Sequence, residues 1–139
     1  MNGLAAAAIV TVLWTPMPKF LVANETGSTI GVHLDVSQDA GFQDKVIAVR
    51  AGERRSFLSS QLFPEGRLGG RLGSCDYWYE LPNEPPKARI QDTYIFGVGV
   101  RMGSDATPYL VLMVARRGAR GAEQESLDTF PVWPVSRTC

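Results

Sequence analysis

The single histidine of the chain, His33, is the first candidate for acid–base chemistry. It stands two residues before Asp35, within residues 29–36, where apolar residues alternate with polar or small ones. Alternate residues of a strand share a face, so His33 and Asp35 are predicted to lie together on the solvent side. A histidine base also needs a nucleophile, and no serine stands in a Gly-x-Ser-x-Gly sequence. We therefore predict no catalytic residue; the alternative is a small hydrolase or ligand-binding protein that uses the His33/Asp35 face.

Metal and cofactor binding find no support in the residue pattern. The spacing of Asp35, Asp39 and Asp44 does not match a calcium-binding EF-hand loop. Two cysteines are too few for a structural zinc site. The glycines of residues 97–103 lack the dinucleotide-binding spacing and lie inside a predicted strand. We predict neither a metal nor a cofactor.

Two tryptophans are candidates for protein contact. Alternation over residues 75–81 places Trp78 with Asp76 and Glu80 on the face opposite the tyrosines. Exposed aromatic side chains beside carboxylates are typical of binding surfaces, and these acids favour a basic partner. Trp133 lies in a proline-bounded tail. We predict a contact surface formed by Trp78, Asp76, Glu80 and Trp133; the competing interpretation is that the tail crosses the sheet and buries both tryptophans.

The elements that must position these residues are strands. Apolar residues recur with period two after residue 18, and no helical periodicity persists there. The pattern predicts an all-β protein: a single antiparallel β-sandwich or barrel of seven to eight short strands over residues 19–139. Residues 109–115 are apolar on both faces, which is typical of a central strand.

Two hairpins are predicted near the start of this domain. The first joins residues 19–23 to the strand at 29–36 through a turn that contains Gly27. The second joins residues 45–50 to 54–58.

Residues 1–18 form a hydrophobic segment without a charged side chain. Its apolar run, residues 3–14, has the length of the hydrophobic part of a secretory signal and is too short to cross a bilayer as a helix. No basic residue precedes the run, and no small-x-small cleavage site follows it at the usual distance. The segment indicates export, with cleavage or membrane anchoring; the alternative is a helix or strand that packs on the domain.

The cysteines point to the same compartment. Cys75 lies mid-chain and Cys139 at the end of the sequence, where a disulfide would hold a segment that otherwise frays. We predict a Cys75–Cys139 disulfide, which persists only in an oxidising compartment. Two unrelated thiols are the alternative.

Charge excludes one class of partner. Lys+Arg and Asp+Glu both number 14, and a general nucleic-acid binder needs a positive surplus.

Asn24-Glu25-Thr26 matches the N-glycosylation sequon, a pattern with meaning only in a eukaryotic secretory pathway.

Several short features together resemble small, mostly uncharacterised bacterial envelope proteins of β-sandwich type. The features are Asn24-x-Thr26-Gly27, the turn at residues 51–53, the segment Cys75-x-Tyr77-x-Tyr79-x-x-Pro82 and the final cysteine. No lipoprotein cysteine follows the apolar run, which departs from the lipoprotein members. The resemblance implies a periplasmic or extracellular domain and no activity. We expect a non-enzymatic module that contacts an envelope protein, as an accessory subunit of a membrane-associated complex, with peripheral or N-terminally anchored membrane association.

Overall fold

The computed structural model describes residues 19–35, 45–63, 66–83, 93–116 and 125–139. The hydrophobic segment at 1–18 and the acids Asp39 and Asp44 lie outside these ranges. The described residues form a short 3-10 helix, Ser59–Gln61, and the following strands: β1 Lys19–Asn24, β2 Ile30–Leu34, β3 Lys45–Val49, β4 Arg54–Leu58, β5 Arg67–Leu72, β6 Cys75–Glu80, β7 Thr93–Met102, β8 Pro108–Arg116, β9 Glu125–Val132 and β10 Ser136–Thr138.

The strands form two sheets of five, which confirms the all-β sandwich. The first sheet has the order β4-β1-β7-β8-β9, and the second has the order β10-β6-β5-β2-β3. The described residues contain ten strands rather than the expected seven to eight, in part because the tail holds two separate strands, β9 and β10. Most neighbouring pairs are antiparallel, but β1 and β7 run parallel.

Both predicted hairpins are wrong. β1 belongs to the first sheet and β2 to the second, and the same is true of β4 and β3. Each connection therefore crosses from one sheet to the other. In a hairpin and in a connection that crosses between sheets, the same alternate apolar side chains of each strand face the core. Alternation alone therefore does not distinguish the two arrangements. The consecutive strands that pair antiparallel are β2–β3, β5–β6, β7–β8 and β8–β9. The β5–β6 turn contains Gly73 at a φ of 60°.

Asn24 joins the two crossing connections. This residue is 1% exposed, and its side-chain amide donates hydrogen bonds to the carbonyls of Ser28 (2.8 Å) and Val49 (2.9 Å). Its side-chain oxygen accepts from the backbone N–H and the hydroxyl of Thr26. The side-chain nitrogen of Asn24 is the atom that N-glycosylation would modify. Because this nitrogen is buried and hydrogen-bonded, the sequon is not accessible for glycosylation in the folded chain.

The core lies between the inward faces of the two sheets. Inward residues include Val22, Val98 and Leu112 from the first sheet and Val32 and Tyr77 from the second. β8 lies between β7 and β9, and its residues 110–112 are buried on both faces, which confirms it as a central strand.

Tyr79 ties the sheets together through a polar contact inside this core. Its hydroxyl donates to the carbonyl of Pro108 at 2.7 Å, and burial raises the pKa of Tyr79 well above its ordinary value. An apolar cavity of about 20 Å³ lies nearby, lined by Val22, Gly70 and Leu110 among others.

Candidate functional site

His33 lies on the outer face of the second sheet, but it does not face open solvent as predicted. The residue is 7% exposed, because the Trp78 ring lies beside it with ring centroids 5.2 Å apart. Its Nε2 atom is 3.2 Å from Oδ1 of Asp76, and Asp76 is the one side-chain hydrogen-bond partner that the described residues supply. The sequence pointed to Asp35 for that role. Strand pairing explains the difference, since β6 brings Asp76 to the same face from 43 residues away.

Asp76 is held by two groups at once. The Arg71 guanidinium contacts both carboxylate oxygens, at 2.7 and 3.2 Å. This hydrogen-bonded arginine, assisted by His33, holds the pKa of the Asp76 carboxyl below its usual range, although partial burial opposes the shift. The Asp76 carboxylate, which was predicted to attract a basic partner, is therefore already paired with Arg71. This pairing weakens the prediction that Asp76 attracts a basic partner.

Trp78 is half-buried within a cluster of rings and a guanidinium. The rings of Phe63 and Trp78 are nearly perpendicular, with centroids 4.9 Å apart, and the Arg67 guanidinium lies 4.8 Å from the centroid of the Trp78 ring. The tail does not cross over this ring. Instead, the tail adds to β6 as strand β10, with Ser136 opposite Trp78 in register and the Val135 N–H donating to the Trp78 carbonyl.

Gly69 allows His33 and Trp78 to meet. It is opposite His33 on one side and Trp78 on the other, because β5 lies between β2 and β6. A Cβ atom at Gly69 would come within 2.9 Å of both side chains. A glycine inside a strand commonly marks such a close approach. Gly69 did not enter our prediction from the sequence, although it is the one feature from which this cluster could have been predicted.

Within the described residues, the arrangement supplies a histidine whose ring is oriented by a carboxylate. In hydrolases that use a histidine base, the imidazole bonds to a carboxylate on one side and to a nucleophile on the other. Among the described residues, His33 makes its side-chain hydrogen bond to Asp76 alone. No three His, Cys, Asp or Glu side chains of those residues are grouped so that they could hold a metal. The contacts that the structure shows in this cluster are ring packing, a cation–π contact and charge pairing.

The most exposed apolar residues lie elsewhere, on the segment that passes from β9 to β10. Phe130 is 50% exposed, Trp133 47% and Val135 60%, and Pro131 between them is also exposed. We call residues 130–135 the apolar edge. β9 and β10 are edge strands of their respective sheets, so this segment runs along one side of the sandwich.

Trp133 is held in place within the apolar edge. Its ring packs on Tyr109 at a centroid distance of 4.8 Å. On the β7–β8 turn, a Cβ atom at Gly103 would lie 3.1 Å from the Trp133 ring. The ring is thus positioned by its neighbours while almost half of the residue remains exposed. Of the predicted contact residues, Trp133 is therefore the most accessible aromatic, and Glu80 is an exposed acid opposite Arg67 on β5.

Cys75 and Cys139 form a disulfide in the structure. The bond continues the ladder between β6 and β10, in which Thr138 is opposite Asp76. It fastens the end of the tail that carries the apolar edge.

No protein-family model, curated protein or solved structure matches this chain. In the part of the chain that the structure describes, we find no helix with the length and hydrophobicity of a membrane span.

Proposed function

We propose that this chain is a non-enzymatic module that acts by protein–protein contact, and that the apolar edge is its main contact surface. The observation that carries the proposal is the exposure of Phe130, Trp133 and Val135 along one side of the sandwich. Folded monomers rarely expose large contiguous apolar patches, and those that occur often mark interaction sites. We propose that the partner is an envelope protein and that this chain is an accessory subunit of a membrane-associated complex.

Contact through side chains suits this edge better than the addition of a partner strand. Pro131 and Pro134 lack backbone N–H groups, and prolines on an edge discourage strand pairing. Trp133 is already ordered by Tyr109, so little side-chain entropy is lost when a partner covers it. Ordered aromatic side chains of this kind dominate the energetics of many interfaces. The predicted participation of Trp78, Asp76 and Glu80 stays a prediction.

Replacement of Trp133 by alanine is expected to weaken partner binding by about 2 kcal/mol, or roughly thirtyfold, which is typical of a buried interface anchor. The melting temperature should change little, because Trp133 packs on the surface rather than in the core. The measurement is affinity capture of a purified envelope fraction on the full-length chain, followed by titration of the captured protein.

Tyr94→Ala is the matched control for this experiment. Tyr94 is also a large exposed aromatic, at 42%, but it lies on β7 rather than on the apolar edge. If Tyr94→Ala weakens capture as much as Trp133→Ala does, the contact surface is not the apolar edge.

We further propose that the domain works outside the cytoplasm, in the periplasm or the extracellular space. The Cys75–Cys139 disulfide supports this location, because such bonds are rare in reducing compartments. N-terminal sequencing of the protein from membrane and soluble fractions should find residues 1–18 either removed or holding the chain at the membrane. Recovery of intact, reduced protein from the cytosol would contradict the location.

A further inference from the structure

We propose that the Cys75–Cys139 disulfide is a thiol-exchange site, at which an external thiolate attacks Cys139 and releases Cys75. The co-reactant is a thiol of the glutathione class or a cysteine of another protein. This proposal is independent of the contact surface proposed above.

The exposure of the two cysteines favours attack at Cys139. Cys139 is exposed, whereas Cys75 is partly buried and packs against the hydrophobic core. Thiol–disulfide exchange requires access to one sulfur along the S–S direction, so the rate depends strongly on which sulfur a thiolate can reach. The more exposed cysteine, Cys139, directly follows the peripheral strand β10, whereas Cys75 lies on β6.

Arg137 places a permanent positive charge beside both sulfurs. Its Nε–H donates to Sγ of Cys139 at 3.3 Å, and its Nη2 lies 3.9 Å from Sγ of Cys75. The guanidinium is also near the Tyr77 ring, at 5.8 Å, which helps to hold it there. A neighbouring arginine stabilises a thiolate relative to the thiol. The leaving group in the exchange, Cys75 thiolate, is therefore stabilised as it forms.

The chemical step balances with two thiols. A thiolate RS⁻ attacks Sγ of Cys139, the Cys75–Cys139 bond breaks, and Cys75 leaves as a thiolate while RS–S–Cys139 forms. A second RS⁻ then attacks the R sulfur of this mixed disulfide, which gives RSSR and the Cys139 thiolate. Two electrons pass from the two external thiols to the protein disulfide, and solvent protonates the cysteine thiolates.

The structural cost of opening the bond is confined to β10. All three residues of this strand are exposed, and its ladder to β6 has only three residue pairs. Detachment of β10 therefore exposes little core while the two sheets stay packed. Because the reduced chain gains freedom in the folded state as well as in the unfolded state, the disulfide should stabilise the fold by less than the roughly 4 kcal/mol of chain-entropy models.

The test is the reaction of the folded, full-length protein with reduced glutathione, without denaturant. The rate of mixed-disulfide formation is followed by mass spectrometry, and peptide mapping assigns the modified cysteine. We expect glutathione on Cys139. We expect Arg137→Gln to slow the reaction by about threefold or more, because the departing Cys75 thiolate loses its neighbouring positive charge. Arg137→Lys should retain most of the rate, because it keeps the charge.

Arg50→Gln is the control for a general loss of positive charge. Arg50 is exposed and follows β3, at the opposite edge of the second sheet, and its replacement should leave the rate unchanged. Three results would overturn the proposal: no reaction at millimolar glutathione unless the protein is denatured, glutathione found on Cys75, or an Arg137→Gln rate equal to or above that of the wild type. Mapping on the wild-type protein decides the site of attack even if a variant fails to fold.

Discussion

Replacement of Asn24 by alanine is expected to lower the free energy of unfolding by about 3 kcal/mol, since buried groups that lose hydrogen-bond partners cost roughly 1–3 kcal/mol each. The substitution would leave the carbonyls of Ser28 and Val49 and the N–H of Thr26 without the Asn24 side chain. These groups lie at the point where two connections cross between the sheets, so local relaxation cannot easily restore their bonds. Denaturant unfolding followed by tryptophan fluorescence measures the change.

Asn83→Ala is the matched control, because Asn83 is exposed. We expect it to alter stability by less than about 0.5 kcal/mol, as surface substitutions usually do. Asn24→Asp should be destabilising as well, since a second oxygen would face the carbonyls of Ser28 and Val49. Near-wild-type stability for Asn24→Ala would mean that the crossing connections are held by something else.

A methyl group added at Gly97 is expected to destabilise the fold by about 3 kcal/mol, at the upper end of the usual cost of overpacking. Gly97 is opposite Leu21 in the parallel β1–β7 pair, and a Cβ atom there would collide with the Leu21 backbone carbonyl. Relief would require the separation of two central strands. Thermal and denaturant unfolding of Gly97→Ala measures the loss.

Gly70→Ala is the control for Gly97→Ala, because a methyl group at Gly70 has room in the same sandwich. A Cβ atom at Gly70 would be 3.7 Å from its nearest neighbours, Gly31 and Tyr79, and Gly70 lines the small interior cavity. We expect a gain of about 0.5 kcal/mol, because alanine loses less backbone entropy than glycine on folding. If Gly97→Ala and Gly70→Ala changed stability equally, β1 and β7 would not approach each other as closely at Gly97 as the structure shows.

The sequence predicted the strands better than their partners. Alternation in residues 30–34 correctly predicted which side chains of β2 face the core. It did not predict that His33, on the opposite face, is buried. It did not reveal that β1 and β2 lie in different sheets, because inward-facing residues look the same in either arrangement. Asn24 is the last residue of β1, and its polar side chain is buried because the chain crosses there from one sheet to the other.

In the candidate sites too, the face on which a side chain lies was predictable, but its neighbours from other strands were not. Trp78 and Asp76 were placed on the correct face of β6, but Phe63, Arg67 and Arg71 come from β5 and the loop before it. Such neighbours depend on strand order, which local periodicity does not contain. The disulfide was predictable because the sequence has only two cysteines. The apolar edge was partly visible in the tail, where prolines separate large apolar residues.

The claim that the apolar edge is a contact surface is tested most directly by photo-crosslinking in cells that produce the full-length chain. A photoreactive amino acid replaces Trp133 in one variant and Tyr94 in another, since both positions are exposed but only the first is on the edge. We predict that irradiation joins the variant substituted at position 133 to one discrete envelope protein and that the variant substituted at position 94 gives no such product. The absence of an adduct at position 133, or the same adducts in equal amounts at both positions, would show that the apolar edge is not the contact surface.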